Sequence, residues 1–272
     1  MIQAKLQLAQ YVLKATENYT GFFPARAVRA AREECEELIP ELIKRVDFAV
    51  DSGKALSENY MGHLFAIYLL AEFRAEKAYE TMLRMFSLDG DALEVVLGDT
   101  LTEGLGSIVA SVAQGRYKDL LALFENSELY EFARLAALSA VEIQMHEGLI
   151  DRPEIEKQLG RILSSAIEAE DVVAITALIG TVCTLKIEQL ADAAREAFDR
   201  DLVDKLMIGR DYFERIIRTG DYGGAHYEQL VVTAEESMSW WHCFESDADH
   251  TVSRNVRCPC GSGLKSKRCC FS

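Results

Sequence analysis

Four side-chain classes recur in this chain at a fixed step. Tyr79, Met82, Leu83 and Phe86 are followed 38 residues later by Tyr117, Leu120, Leu121 and Phe124. Another 38 residues on stand Ile155, Gln158, Leu159 and Ile162, three of them apolar. A shorter step of 35 sets Leu190, Ala194 and Phe198 beneath Ile155, Leu159 and Leu163. Spacings of three and four put each set on one face of an α-helix. An apolar helical segment precedes these sets, as at 63–73 and 130–145, so each unit holds two helices. One helical hairpin cannot bury both of its apolar faces, and such units must therefore stack on their neighbours.

A two-helix unit of this length is close to the HEAT and armadillo range. The pattern predicts an all-α fold, a HEAT/armadillo-like helical-repeat solenoid over residues 1–218. The alternative, a single globular helical domain with a coincidental period, shares the α class. At the start of the chain, 2–17 reads as a helix with Ile2, Leu6, Ala9 and Leu13 on one stripe. Pro24 starts a second over 25–38, as proline does in a first turn. Pro40 is expected to open a third, which carries Ile39, Ile43, Val46 and Val50 and stops at Asp51-Ser52-Gly53.

After Arg218 the rhythm fades into turn residues, Thr219 to Gly224, and a short extended stretch at 230–233. Residues 219–253 thus read as a connecting segment. It holds both tryptophans, in Trp240-Trp241-His242-Cys243-Phe244. Trp240 and Trp241 either anchor a partner, since aromatics dominate interface hot spots, or pack this segment onto the last helices.

The final stretch, 254–272, holds four of the seven cysteines, spaced C-x-C-x(8)-C-C. Adjacent cysteines have Cα atoms about 3.8 Å apart, short of the separation a disulfide prefers. Cys258, Cys260, Cys269 and Cys270 fit a closed tetrahedral zinc site instead, one Zn2+ per chain. Gly261 and Gly263 permit the positive φ that folds the second pair back on the first.

Cys-Pro-Cys-Gly-Ser-Gly, a lysine-rich spacer and Cys-Cys resemble the SEC-C motif, the zinc-binding tail known from the SecA translocase ATPase. The resemblance implies that all four cysteines are metal ligands and that the tail is a short interaction knuckle, associated in SecA with an export chaperone, phospholipid and the ribosome. The usual aromatic residue of the spacer is Ser266 here. The rest of the chain resembles, in layout, an uncharacterised bacterial family of acidic helical-repeat proteins that end in such a tail.

The net charge is −15 and unevenly placed. Arg254, Arg257, Lys265, Lys267 and Arg268 make the tail basic and leave −20 on the first 253 residues. A body so acidic repels polyphosphate, which excludes a broad nucleic-acid surface. The five basic residues either bind an anion or an acidic partner or offset the charge of four thiolates around one zinc. No apolar run is long enough to span a bilayer and 1–6 has no signal-peptide core, so a cytoplasmic location is expected.

No P-loop, H-E-x-x-H or nucleophile elbow is present, and no catalytic or organic-cofactor residue is assigned. His63, on a strongly apolar segment, reads as a core or groove histidine rather than a general base. The sequence favours a non-enzymatic zinc-binding adaptor, with the solenoid and the basic tail each holding a macromolecular partner: a protein such as a chaperone, or the ribosome. The alternatives are an enzyme with an unrecognised site in the solenoid groove, and a metal or redox stress factor.

Overall fold

The computed structural model describes residues 2–220, 228–244, 255–258 and 263–268. In order, the helices are α1 (Ile2–Ala15), α2 (Ala25–Ala30), α3 (Cys35–Ser52), α4 (Gly62–Glu72) and α5 (Tyr79–Met85). There follow α6 (Gly90–Leu97), α7 (Thr100–Glu103), α8 (Leu105–Ala113), α9 (Tyr117–Glu125) and α10 (Glu131–His146). The series closes with α11 (Arg152–Ala169), α12 (Val172–Leu185), α13 (Ala191–Asp199), α14 (Arg210–Thr219) and α15 (Ala234–Met238). Among the described residues extended pairing is confined to two isolated bridges, so the all-α class holds. No described helix is long and apolar enough to cross a membrane. The chain divides into two compact units, Met1–Thr100 with Val231–Ser272, and Leu101–Leu230.

In the first unit α4 is apolar all round, with every residue from Phe65 to Ala71 buried, the signature of a helix wrapped by others. α3 packs along it through Leu38, Leu42, Val46 and Ala49, a single stripe at helical spacing. α3 stops where the sequence predicts, with Gly53 at φ +48°. Its start differs from expectation. The break falls earlier, in a 3-10 turn over Ala31–Glu34, and Pro40 lies inside α3. Proline there removes the N–H that would bond the carbonyl of Glu36. Both residues are exposed, so water can serve that carbonyl.

The last part of this unit comes from the far end of the chain. Thr233 caps α15 by accepting the Glu236 N–H at 3.0 Å. α15 packs on α4 and α2. Glu72 at the end of α4 accepts the Ala234 N–H at 2.7 Å and also pairs with Arg32. Arg29 of α2 grips Glu235 through two guanidinium nitrogens.

The second unit shows the recurrence most clearly. α9, α11 and α13 are amphipathic and bury Leu120, Leu121 and Phe124, then Ile155, Leu159 and Ile162, then Ala194 and Phe198. Between them stand helices that are almost wholly apolar, α8 before α9 and α12 before α13, with α10 before α11. Side chains bond across one step of the pattern. Arg161 of α11 pairs with Glu125 of α9 at 2.6 Å, 36 residues away. Thr181 of α12 bonds Glu142 of α10, 39 residues away. Arg134, only 4% exposed, donates to the Phe124 carbonyl at 2.9 Å and pairs with Asp171, which also caps α12. The step does not always enclose the same elements: Tyr79 to Tyr117 spans α6, α7 and α8, whereas Tyr117 to Ile155 spans α10 alone.

Candidate metal centre

Two short pieces of the tail, 255–258 and 263–268, face each other as antiparallel backbone. The Cys258 N–H donates to the Leu264 carbonyl at 2.7 Å and the Ser266 N–H to the Val256 carbonyl at 2.9 Å. Arg257 and Lys265 form the bridge between them. Gly263 sits at φ +72°, the left-handed conformation the sequence anticipates for it at the return. A 3-10 turn over Ser266–Arg268 follows, closed by the Arg268 N–H on the Lys265 carbonyl at 2.8 Å.

Alternation along paired backbone sorts the side chains. Arg257 and Lys265 share one face and are exposed, as are Lys267 and Arg268 on the turn. Val256, Cys258, Leu264 and Ser266 take the other face, where Cys258 is 4% exposed and Ser266 wholly buried. The Ser266 hydroxyl donates to the Val256 carbonyl, so the residue standing in the usual aromatic position ties the two pieces together. Cys260, Cys269, Cys270 and Arg254 lie outside the described residues, and no metal-ligating cluster occurs among the described ones.

The two tryptophans part company. Trp241 stacks on Phe244 with ring centroids 6.1 Å apart and meets Tyr68 of α4 edge-on at 5.7 Å. Phe244, buried, touches Phe23 at 5.5 Å and Phe65 at 6.1 Å. The Tyr19 hydroxyl donates to the Cys243 carbonyl at 2.7 Å. Packing therefore accounts for Trp241, but against the first helices of the chain rather than the last. Trp240 is 60% exposed.

Two further polar sites lie upstream. His63, 3% exposed, has Nε2 at 2.5 Å from the Val96 carbonyl, which can only accept, so this nitrogen carries the proton. It thereby serves a last-turn carbonyl of α6. The ring stacks on Tyr60 at 5.5 Å, and Nδ1 is buried without a hydrogen-bond partner among the described residues. Burial pushes the imidazole down to about 4, so it is neutral.

In the second unit, burial pushes the Glu142 carboxyl up to about 7, the Thr181 hydroxyl opposes that, and the charge of Glu228 adds to it. Neither Glu142 nor Glu228 stands out in a chain with 44 acidic residues. The available signal is Glu142's place among apolar neighbours, Ala140, Val141, Ile143 and Met145.

Residues 6–245 match the model of a family described as a protein of unknown function, DUF1186, and residues 254–272 match that of the SEC-C motif. The chain is similar to an uncharacterized protein of Chlamydia muridarum, 29% identical over 228 residues that cover 81% of this chain and 91% of the relative. It is equally similar to an uncharacterized protein of Chlamydia trachomatis serovar D, 29% identical over 232 residues, 82% of this chain and 92% of the relative. No solved structure matches the chain.

Proposed function

For this chain, which belongs to the DUF1186 family and carries a SEC-C motif, we propose the role of a zinc-binding adaptor: helical units serve as scaffold and the basic tail engages a macromolecular partner. The observation that carries the reading is the folded-back tail, in which a buried Cys258 and the turn leading to Cys269 are set on paired backbone. An isolated two-stranded hairpin of this size is marginal in water and needs a staple. The four thiols of Cys258, Cys260, Cys269 and Cys270 suit zinc, which when bound supplies a structural cross-link rather than an open coordination position. The exposed Arg257 and Lys265 lie directly opposite each other, an arrangement that disfavours the hairpin unless anionic charge offsets it.

The scaffold reading rests on the second unit. There α10 packs on α8 and α9 and α12 packs on α11 and α13, while side-chain bonds reaching about one repeat along the chain tie α9 to α11 and α10 to α12, which supports a HEAT-like stack. Trp240, exposed beside the docked Trp241, offers a second contact for a partner. The partner is an acidic protein or a ribosomal surface, met by Arg254, Arg257, Lys265, Lys267 and Arg268, in the cytoplasm.

Elemental analysis should return one zinc per chain, lost when Cys258→Ser and Cys269→Ser are combined. Full zinc in that variant would place the metal elsewhere. Structural zinc is worth about 10 to 16 kcal/mol to its own small domain, so a chelator should unfold the tail and leave the helical circular dichroism intact. Capture with the whole chain and with a chain ending at Ser253, with and without nuclease, then tests recruitment; identical partners from both would assign the basic residues to charge compensation alone.

A further inference from the structure

Ser139 and Glu142 stand three residues apart on α10 and so share a face. The Ser139 hydroxyl donates to Glu228 Oε2 at 2.5 Å, across 89 residues of chain. The seat is cut to fit. A Cβ added at Gly106 of α8 would meet Ser139 Oγ at 2.5 Å and Glu228 Oε2 at 3.2 Å, so only glycine leaves room for the carboxylate there. Glu142, beside Ser139, accepts the Thr181 hydroxyl from α12 and interacts electrostatically with Glu228. Two carboxyl groups thus sit on one three-helix surface, one from within the bundle and one brought by the stretch 228–230.

Among the described residues, the neighbouring elements bring little to neutralise them. α8 has no titratable side chain, and α12 has only the Cys183 thiol, which burial pushes up to about 11. α9 brings Lys118 and Asp119, both exposed, and Glu125, paired with Arg161. On α10 itself Arg134 is committed to Asp171, Glu131 lies at the opposite end of the helix, and His146 lies one turn beyond Glu142 and is exposed.

We propose that Glu228 is a proton-controlled clasp: with Glu142 neutral, residues 228–230 are held on α8 and α10 through Ser139, and with Glu142 ionised the two carboxylates repel and the hold loosens. The hydrogen bonds allow both states. Neutral Glu142 donates to the Thr181 oxygen while the Thr181 hydroxyl turns to the Ala177 carbonyl at 3.2 Å; ionised Glu142 accepts from Thr181 instead. Burial places the change near pH 7. Nothing in this device depends on the zinc tail.

Limited thermolysin cleavage at 228–230 in the full-length chain, followed from pH 5.5 to 8.5 and normalised to cleavage of a free peptide of the same sequence, reads the clasp directly. Protection in the wild type should fall by about five- to tenfold across pH 7, the scale of repulsion between partly exposed like charges. Glu142→Gln and Glu228→Gln should each flatten that dependence, the second while keeping an acceptor for Ser139. A flat wild-type profile overturns the proposal, and so does a slope that survives in either variant. Circular dichroism at each pH identifies a variant that has not folded; if Glu142→Gln is one, the profile of Glu228→Gln, altered at an exposed position, decides alone.

Discussion

Acid should weaken the first unit through one ring. An unfolded His63 titrates near 6.5, whereas in the folded protein burial holds it at about 4. Between those values the unfolded chain carries a proton that the folded chain lacks, so stability rises with pH across this window and falls as pH drops. From the two values the loss is about 1.4 kcal/mol at pH 5.5, about 2.5 kcal/mol at pH 4.5 and about 3.4 kcal/mol once both forms are protonated. The comparison variant is His63→Gln, which keeps an N–H for the Val96 carbonyl and has nothing to titrate. Urea unfolding followed by tryptophan fluorescence is the assay, because both tryptophans, Trp240 and Trp241, belong to the unit that holds His63. All other titrating groups are common to the two proteins and cancel in the difference. A gap between wild type and variant that stays constant from pH 7.5 to 4.5 would refute the argument, whatever its absolute size.

The opposite sign is expected at Glu142, whose folded value of about 7 exceeds the ordinary 4.5, so the folded state gains from its proton below about 4.5 and loses that gain as pH rises through 7. Glu142→Gln should therefore stabilise the protein by about 2 kcal/mol at pH 8 and by little at pH 4.5, as calorimetry would show; the full shift is discounted because the residue is partly exposed. Gly106→Ala should cost about 1 to 3 kcal/mol through overlap with Ser139, and adding Ser139→Gly should restore much of it, giving a clear coupling in a double-mutant cycle. Phe244→Ala removes a ring shared by Phe23, Phe65 and Trp241; a loss of about 3 kcal/mol with a red-shifted tryptophan emission is expected, and unchanged emission would mean that the segment docks without this ring.

Local chemistry made the helices readable, and distance along the chain hid the rest. The apolar spacings of α9, α11 and α13 needed only neighbours within one turn to be recognised. So did the stop at Gly53, whereas α8, α11 and α12 end on Gln114, Glu170 and Lys186 in the left-handed conformation, residues that carry no stop signal of their own. Pro40 misled because its effect depends on whether the carbonyl it deprives is exposed, a tertiary property. Thr233-Ala234-Glu235-Glu236 has the form of a capping box and could have located α15. By contrast, the pairing of Tyr19 with Cys243 across 224 residues has no local trace. At the tail, residue types point to a metal, while the bond from Ser266 to Val256 required the backbone register. Glu142 acquires its character only from Thr181 and Glu228, neither of which is near it in sequence.

The first unit is discontinuous, and this orders events during synthesis. Residues 101–230 leave the ribosome between its two parts, and domains fold as units from the N-terminal side as the chain emerges. The second unit can then be finished while the first still waits, with Phe23, Phe65 and Tyr68 uncovered, for α15 and Phe244 to arrive. The interval spans some 130 residues, several seconds at ordinary elongation rates of about 5 to 20 residues per second. The segment that ends the wait is followed at once by the cysteine-rich tail, so the four clustered cysteines emerge only after the first unit has received α15 and Phe244.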